Sequence, residues 1–128
     1  MNAENFGKYI KRLRNNRNLT LRQLEIKSGV SNSYLSQLEN GKRGIPSPDI
    51  LKKLSLPLGV PYQELMAAAG YLPDDIMVTK GDIKQYDKFV EHAQKFFSND
   101  EIDQEDKEKI FRDITELFWD AKDKNKKK

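Results

Sequence analysis

The sequence predicts an all-α protein: five short helices followed by a hairpin of two longer ones. Three observations carry that prediction. Apolar residues recur at spacings of three and four along most of the chain. β-branched and aromatic residues never alternate long enough to make a strand. Gly, Pro, Ser and Asn fall between the periodic stretches, where helices stop and start.

The first helix is expected over residues 5–16, with Phe6, Ile10 and Leu13 on one face and Lys8, Lys11, Arg12 and Arg14 around the other sides. Asn18 and Thr20 supply turn and N-cap chemistry. A second helix over 21–28 turns Leu21, Leu24 and the stem of Lys27 inward, and Gly29 ends it. Ser31 caps a third helix over 32–40, with Leu35 and Leu38 inward and Asn40-Gly41 as its stop. After the loop 42–46, Ser47 is the expected cap of a fourth helix, with Pro48 in its first position and Ile50, Leu51, Leu54 and Leu58 on its buried face. Pro57 is expected to end that helix early or kink it. A fifth helix over 61–69 buries Leu65 and Met66, and Gly70 closes it.

Beyond it the pattern changes. Residues 73–81 read as a linker. Two amphipathic helices follow. The first, over 82–97, carries Ile83, Tyr86, Phe89, Val90, Ala93, Phe96 and Phe97; the second, over 104–122, carries Ile110, Phe111, Ile114, Leu117, Phe118 and Ala121. Asp103 caps the second, whose first turn is rich in Asp and Glu, as the helix dipole favours. The division is therefore residues 1–72 as one domain, 73–81 as linker, 82–123 as a two-helix segment and 124–128 as a basic disordered tail.

Composition narrows the function. Of 128 residues, 34 % are charged and 37 % apolar, with no Cys and a single His, His92. Disulfides and Cys-based metal sites are excluded, as is catalysis by paired His. No Gly-rich phosphate loop and no paired carboxylates suggest an enzyme. The acidic run near Asp100–Asp106 lacks the glycine of a calcium loop. No cofactor or metal is expected. His92 reads as a plain surface residue. The start of the chain has no signal-peptide pattern, and no apolar run is long enough for a membrane span, so a cytoplasmic protein without membrane contact is expected. Net charge is +3, unevenly placed: residues 1–72 hold 11 Lys/Arg against 5 Asp/Glu, and residues 73–128 hold 12 against 15. A basic head attracts the phosphate backbone; an acidic tail is repelled by it.

The stretch LTLRQLEIKSGVSNSYLSQLENG, residues 19–41, carries the functional signal. Two short helices joined by a glycine turn cross steeply. Leu24, Val30, Leu35 and Leu38 bury between them, leaving Ser31, Asn32, Ser33, Ser36 and Gln37 outward. These side chains suit base edges in the major groove, and the start of such a helix offers N–H groups to phosphate.

Residues 6–70 resemble the lambda-repressor-like, or Xre, helix-turn-helix regulators. The match lies in Leu19-Thr20, Leu24, Gly29-Val30-Ser31, Tyr34-Leu35-Ser36, Leu38-Glu39-Asn40-Gly41-Lys42 and Leu54…Leu58-Gly59-Val60…Leu65. The resemblance implies a five-helix DNA-binding domain and a sequence-specific double-stranded DNA-binding regulator, foremost a dimeric repressor on an inverted repeat. It implies base contacts from Asn32, Ser33, Ser36 and Gln37. Backbone contacts are implied for Ser31, Tyr34, Asn40, Lys42, Arg43 and Arg22. Tyr34 has a second reading, as a core or dimer contact. Three positions depart from the family, one of them the Pro57 already noted in the fourth helix. Leu21 stands where a polar Gln contacts phosphate, and Glu25 stands where a small Ala is usual, so its carboxylate must reach solvent or pair with a neighbour such as Arg22.

The C-terminal helices are similar to the two-helix oligomerisation segment of SinR-type regulators. The shared features are a Tyr86…Phe89-Val90 helix, a polar turn, and Phe118-Trp119 before a Lys-rich end. The resemblance implies a homodimer or higher homo-oligomer through Phe89, Val90, Phe96, Phe97, Phe111, Ile114, Phe118 and Trp119, and a small antagonist protein as a further partner. Two helices alone are not expected to cover so many rings, so a second copy is expected to complete a four-helix arrangement. Two alternatives stand beside this. The helices fold back on the N-terminal domain, or they bind a partner protein, as in an antitoxin whose DNA binding is autoregulatory.

Overall fold

The computed structural model describes residues 2–72, 79–96 and 101–126, with side chains described up to Lys95 in the sixth helix and up to Lys122 in the last. Among these residues the secondary structure is helical, with no strand. The chain divides into two compact units, Met1–Gly70 and Tyr71–Lys128.

In the first unit, α1 (Ala3–Asn16) begins where the Asn2 side chain accepts from the N–H of Asn5 at 2.8 Å. Phe6 and Ile10 are fully buried. Gly7 lies between them for a steric reason: a Cβ there would sit 2.2 Å from the Leu38 carbonyl oxygen. α1 and α3 (Asn32–Glu39) thus meet backbone to backbone. α2 (Leu21–Ser28) opens on a reciprocal capping box between Thr20 and Gln23, and closes on Gly29 at φ 78°, which a Cβ would strain. Leu24 is fully buried, whereas Leu21 is only half-buried and Lys27 is exposed, so the inward face of α2 is narrower than its sequence suggests.

α4 (Pro48–Leu58) packs on α2 and on α5 (Tyr62–Ala68). Two expectations are met only in part here. Ser47 occupies the N-cap position but makes no side-chain cap; its hydroxyl donates to the Asp49 carboxylate, a charged and stronger acceptor. Pro57 does not end the helix early. It sits in the last turn, where it removes one helical N–H donor but has only Leu58 left to follow it, and the helix runs on to Leu58. Gly59, at φ 70°, then donates to Leu56 O at 3.1 Å, and Val60 donates to Ser55 O at 3.2 Å, which satisfies the final carbonyls.

The main charged contact of this unit is buried. Arg14 Nε and Nη2 donate to the two carboxylate oxygens of Glu39 at 2.8 and 2.9 Å, and Arg14 Nη1 donates to Leu19 O at 2.7 Å. The Glu39 side chain is 4 % exposed. Hydrogen bonding to Glu39 raises the Arg14 pKa above its ordinary value, so the guanidinium stays charged.

The second unit begins before its helices, at the buried Tyr71. α6 (Lys80–Phe96) starts inside the expected linker, because Thr79 and Asp82 form a reciprocal cap: Thr79 N–H donates to Asp82 Oδ2 at 3.0 Å and Asp82 N–H to Thr79 Oγ1 at 3.1 Å. α7 (Gln104–Lys126) continues through most of the stretch expected to be a disordered tail. The rest of that linker, residues 73–78, and Phe97 lie outside the described residues, as does the side chain of Phe96.

Tyr86 is the centre of this unit. Its hydroxyl bonds Thr115 Oγ1 at 2.6 Å, and its ring centroid lies 5.4 Å from that of Phe118 and 5.2 Å from that of Trp119. Trp119 Nε1 donates to Tyr71 O at 2.7 Å, giving the indole the partner a buried N–H needs. The innermost stripe of α7 is therefore Phe111, Thr115 and Trp119, four residues apart, while Leu117 is 67 % exposed. Part of the ring surface expected to face a second copy is thus covered within the chain itself. Among the described residues expected to face a second copy, Val90, Phe111 and Trp119 are buried in the single chain, whereas Phe89, Ile114 and Phe118 are half-exposed.

Candidate nucleic-acid interface

Burial decides which residues α3 presents. Leu35 and Leu38 are fully buried and Val30 nearly so. Ser33 and Gln37 are left exposed, with Asn32, Tyr34 and Ser36 half-buried beside them. Ser31, at the head of the helix, is exposed, and its hydroxyl accepts from the Tyr34 N–H at 3.1 Å. The turn into α3 is held by Ser28, whose Oγ donates to Leu24 O at 2.6 Å and accepts from the Val30 N–H at 3.1 Å. All the residues expected to read bases therefore stand on one short helix.

Glu25 does not pair with Arg22. Its Oε2 accepts from the backbone N–H of Asn32 at 2.8 Å. The positive end of α3 attracts the carboxylate across the turn, which explains how an acidic residue is tolerated where a small one is usual. With Ser31 on Tyr34 N–H and Glu25 on Asn32 N–H, two of the first helical N–H groups are already satisfied. The expected offer of this helix start to phosphate is correspondingly reduced.

Beyond α3 the chain turns sharply. Gly41, at φ 72°, donates to Leu38 O at 3.1 Å, and Lys42 N–H donates to Gln37 O at 2.9 Å. That turn leaves Asn40 and Lys42 exposed at the end of α3. Arg22, on α2, is exposed as well. Arg43 behaves differently. Its guanidinium carbon lies 4.4 Å from the centroid of Tyr34, and its Nη1 donates to Gln37 Oε1 at 3.2 Å. Arg43, Tyr34 and Gln37 thus form one cluster, and Tyr34 serves as the platform for a cation.

Sequence reasoning missed two pairs, Arg14–Glu39 and Arg43–Gln37. The first had a readable signal. Arg14 follows Phe6 and Ile10 at intervals of four, and Glu39 follows Leu35 by four, so both charges stand in register with apolar faces. The second had none, because a residue in an irregular loop has no periodicity to betray its direction.

Two short packed helices joined by a glycine turn, the second polar on its outer side and flanked by basic side chains, define a helix-turn-helix module. Comparison with known proteins agrees. The family described as helix-turn-helix domain matches residues 7–71. The HTH-type transcriptional repressor RghR of Bacillus subtilis is 40 % identical over 93 residues, which span 73 % of this chain and 68 % of that protein. The HTH-type transcriptional regulator RghRB of the same organism, itself uncharacterised, is 49 % identical over 74 residues, 56 % of this chain and 53 % of that protein. The chain thus spans about half the length of one relative and two thirds of the other. Among solved structures, it is similar to a SinR protein/SinI protein complex, at 26 % identity and a TM-score of 0.46 over 96 % of this chain and 99 % of that one. The chain belongs to the helix-turn-helix family and is an Xre-like DNA-binding transcription regulator. No helix among the described residues is long and apolar enough to cross a membrane.

Proposed function

We infer that the protein is a sequence-specific repressor that binds an inverted repeat as a dimer, with α3 in the major groove of each half-site. The observation that carries this reading is the outer edge of α3: Ser33 and Gln37 exposed, backed by fully buried Leu35 and Leu38. A rigid helix showing short polar side chains can read base edges, and Asn32 and Ser36 extend the same edge. Ser31, Asn40, Lys42 and Arg22 surround it and are assigned to the phosphate backbone. Repression is supported by the name that the relative RghR carries.

The dimer is assigned to α6 and α7. Leu117, 67 % exposed, and the half-exposed Phe89, Ile114 and Phe118 supply the apolar surface. Two joined heads bind two half-sites with raised effective concentration. The same exposed Leu117 favours a second reading, in which these helices hold a different protein and DNA binding is autoregulatory.

Selection of bound sequences from random duplex DNA, with the mass of the complex measured, tests the proposal. Enrichment of an inverted repeat carrying two chains is the expected result. Absence of any enriched sequence would refute sequence-specific binding, and one chain per site would refute the dimer.

A further inference from the structure

A basic residue in the loop after a recognition helix is expected to extend toward phosphate, as the exposed Lys42 can. Arg43 folds back instead. Its plane rests over Tyr34, and its Nη1 reaches Gln37 Oε1 at 3.2 Å. Its Nε is buried without a hydrogen-bond partner. Tyr34 and Gln37 lie three residues apart, on one face of α3, so the guanidinium over the ring also reaches the amide by a hydrogen bond along the edge assigned to base reading.

The consequence lies in the chemistry of an amide. A free glutamine is ambivalent, since half a turn about its last torsion exchanges the carbonyl for the NH2 group. It can then offer a donor to guanine or thymine, an acceptor to cytosine, or both to adenine. Next to Arg43 that freedom is lost. A guanidinium carries donors only, so the amide must turn Oε1 toward it. The flipped amide would set NH2 against N–H, donor against donor. The end left to face a base edge is Nε2, with its two hydrogens.

We propose that Arg43 is a positioning residue that fixes Gln37 as a hydrogen-bond donor, so that the base Gln37 reads is guanine. Guanine is the base whose major-groove edge offers acceptors alone from a purine, N7 and O6 side by side. Tyr34 contributes by holding the guanidinium plane, a cation–π contact that survives at the surface. The inference rests on the reading of α3 as the base-contacting helix.

The test uses the full chain and its selected site. The base position whose preference is erased by Gln37→Ala is found first. All four bases are then placed there, and affinity and salt dependence are measured for the wild type and for Arg43→Met. Methionine keeps contact with the Tyr34 ring and leaves no buried donor behind, so the variant retains its thermal midpoint. The wild type is expected to favour guanine about tenfold or more. Arg43→Met is expected to narrow that preference to about threefold or less and to admit cytosine, whose N4 group donates to a flipped amide. A wild-type preference for another base overturns the proposal. So does an Arg43→Met variant that loses affinity equally on all four bases while its salt slope falls by about one unit, the behaviour of a phosphate contact. If Gln37→Ala erases no preference anywhere, the reading of α3 itself falls; if it erases one that Arg43→Met leaves intact, only the role of Arg43 falls.

Discussion

At the scale of single residues, two contacts hold α3 in place. The Glu39 carboxylate is buried and fully occupied by Arg14. Removing either partner strands a charge, so Arg14→Ala or Glu39→Ala is expected to cost about 3–5 kcal/mol in urea unfolding, with the Tm lowered accordingly. A loss under about 1 kcal/mol would mean the pair is effectively solvated. Gly7 is as restrictive for a different reason. Its missing Cβ is what lets α1 approach the Leu38 carbonyl, and Gly7→Ala would need α1 and α3 to separate. We expect Gly7→Ala to destabilise by more than the roughly 1 kcal/mol that alanine ordinarily gains over glycine in a helix, with the sign reversed. Neither role is apparent from residue type alone. Arg and Glu are usually surface residues, and glycine inside a helix reads as a flaw; only their register with Phe6, Ile10 and Leu35 signals contact.

At the scale of elements, the start of α3 and the core of the hairpin make separate predictions. Glu25 accepts from the Asn32 N–H at the start of α3, and in the proposed complex it places a negative charge at the end facing phosphate. Glu25→Gln keeps an acceptor and removes the charge. It is expected to leave stability within about 1 kcal/mol and to tighten binding to any duplex at low salt. Unchanged affinity would show that the carboxylate stands clear of the backbone. In the hairpin, burial raises the Tyr86 hydroxyl well above the ordinary phenol pKa of 10.0. The folded state therefore favours the neutral phenol. Stability is complete below pH about 10, the unfolded value, and falls as pH rises above it. Trp119 fluorescence followed through alkaline unfolding should show this loss, and Tyr86→Phe should reduce it, at a cost of about 1–2 kcal/mol from the orphaned Thr115 hydroxyl. The helices themselves were legible because their caps are chemical words: Thr20 with Gln23, Ser31, and glycines after the last turn. The Thr79–Asp82 cap was equally available in the sequence but was hidden by the short apolar run before it, which reads as linker. Pro57 misled because proline marks a helix end only to within a turn.

At the scale of the whole molecule, the charge asymmetry of the sequence matches a division of labour between its two units. The basic Met1–Gly70 unit carries the helix proposed to read DNA, and the acidic Tyr71–Lys128 unit carries the surface proposed for self-association. The rings of that second unit proved hard to assign from sequence. Periodicity tells which residues share a face, but not whether the face is covered by the same hairpin or by another chain. Tyr86, Phe111 and Trp119 turn out to be buried within one chain, which leaves Leu117 and its half-exposed neighbours for a partner. Leu117→Glu changes an exposed residue, so folding should be retained. We expect that variant to shift from dimer to monomer in sedimentation at micromolar concentration, and to bind the operator about a hundredfold more weakly through lost avidity. A wild type that is monomeric under the same conditions would contradict the dimer.

Sequence reading by α3 is tested by comparing Gln37→Ala with the wild type on the selected site and on random duplex DNA at one salt concentration. A loss of about 1–3 kcal/mol on the selected site and almost none on random DNA is expected. Equal loss on both, or no loss on the selected site, would contradict it.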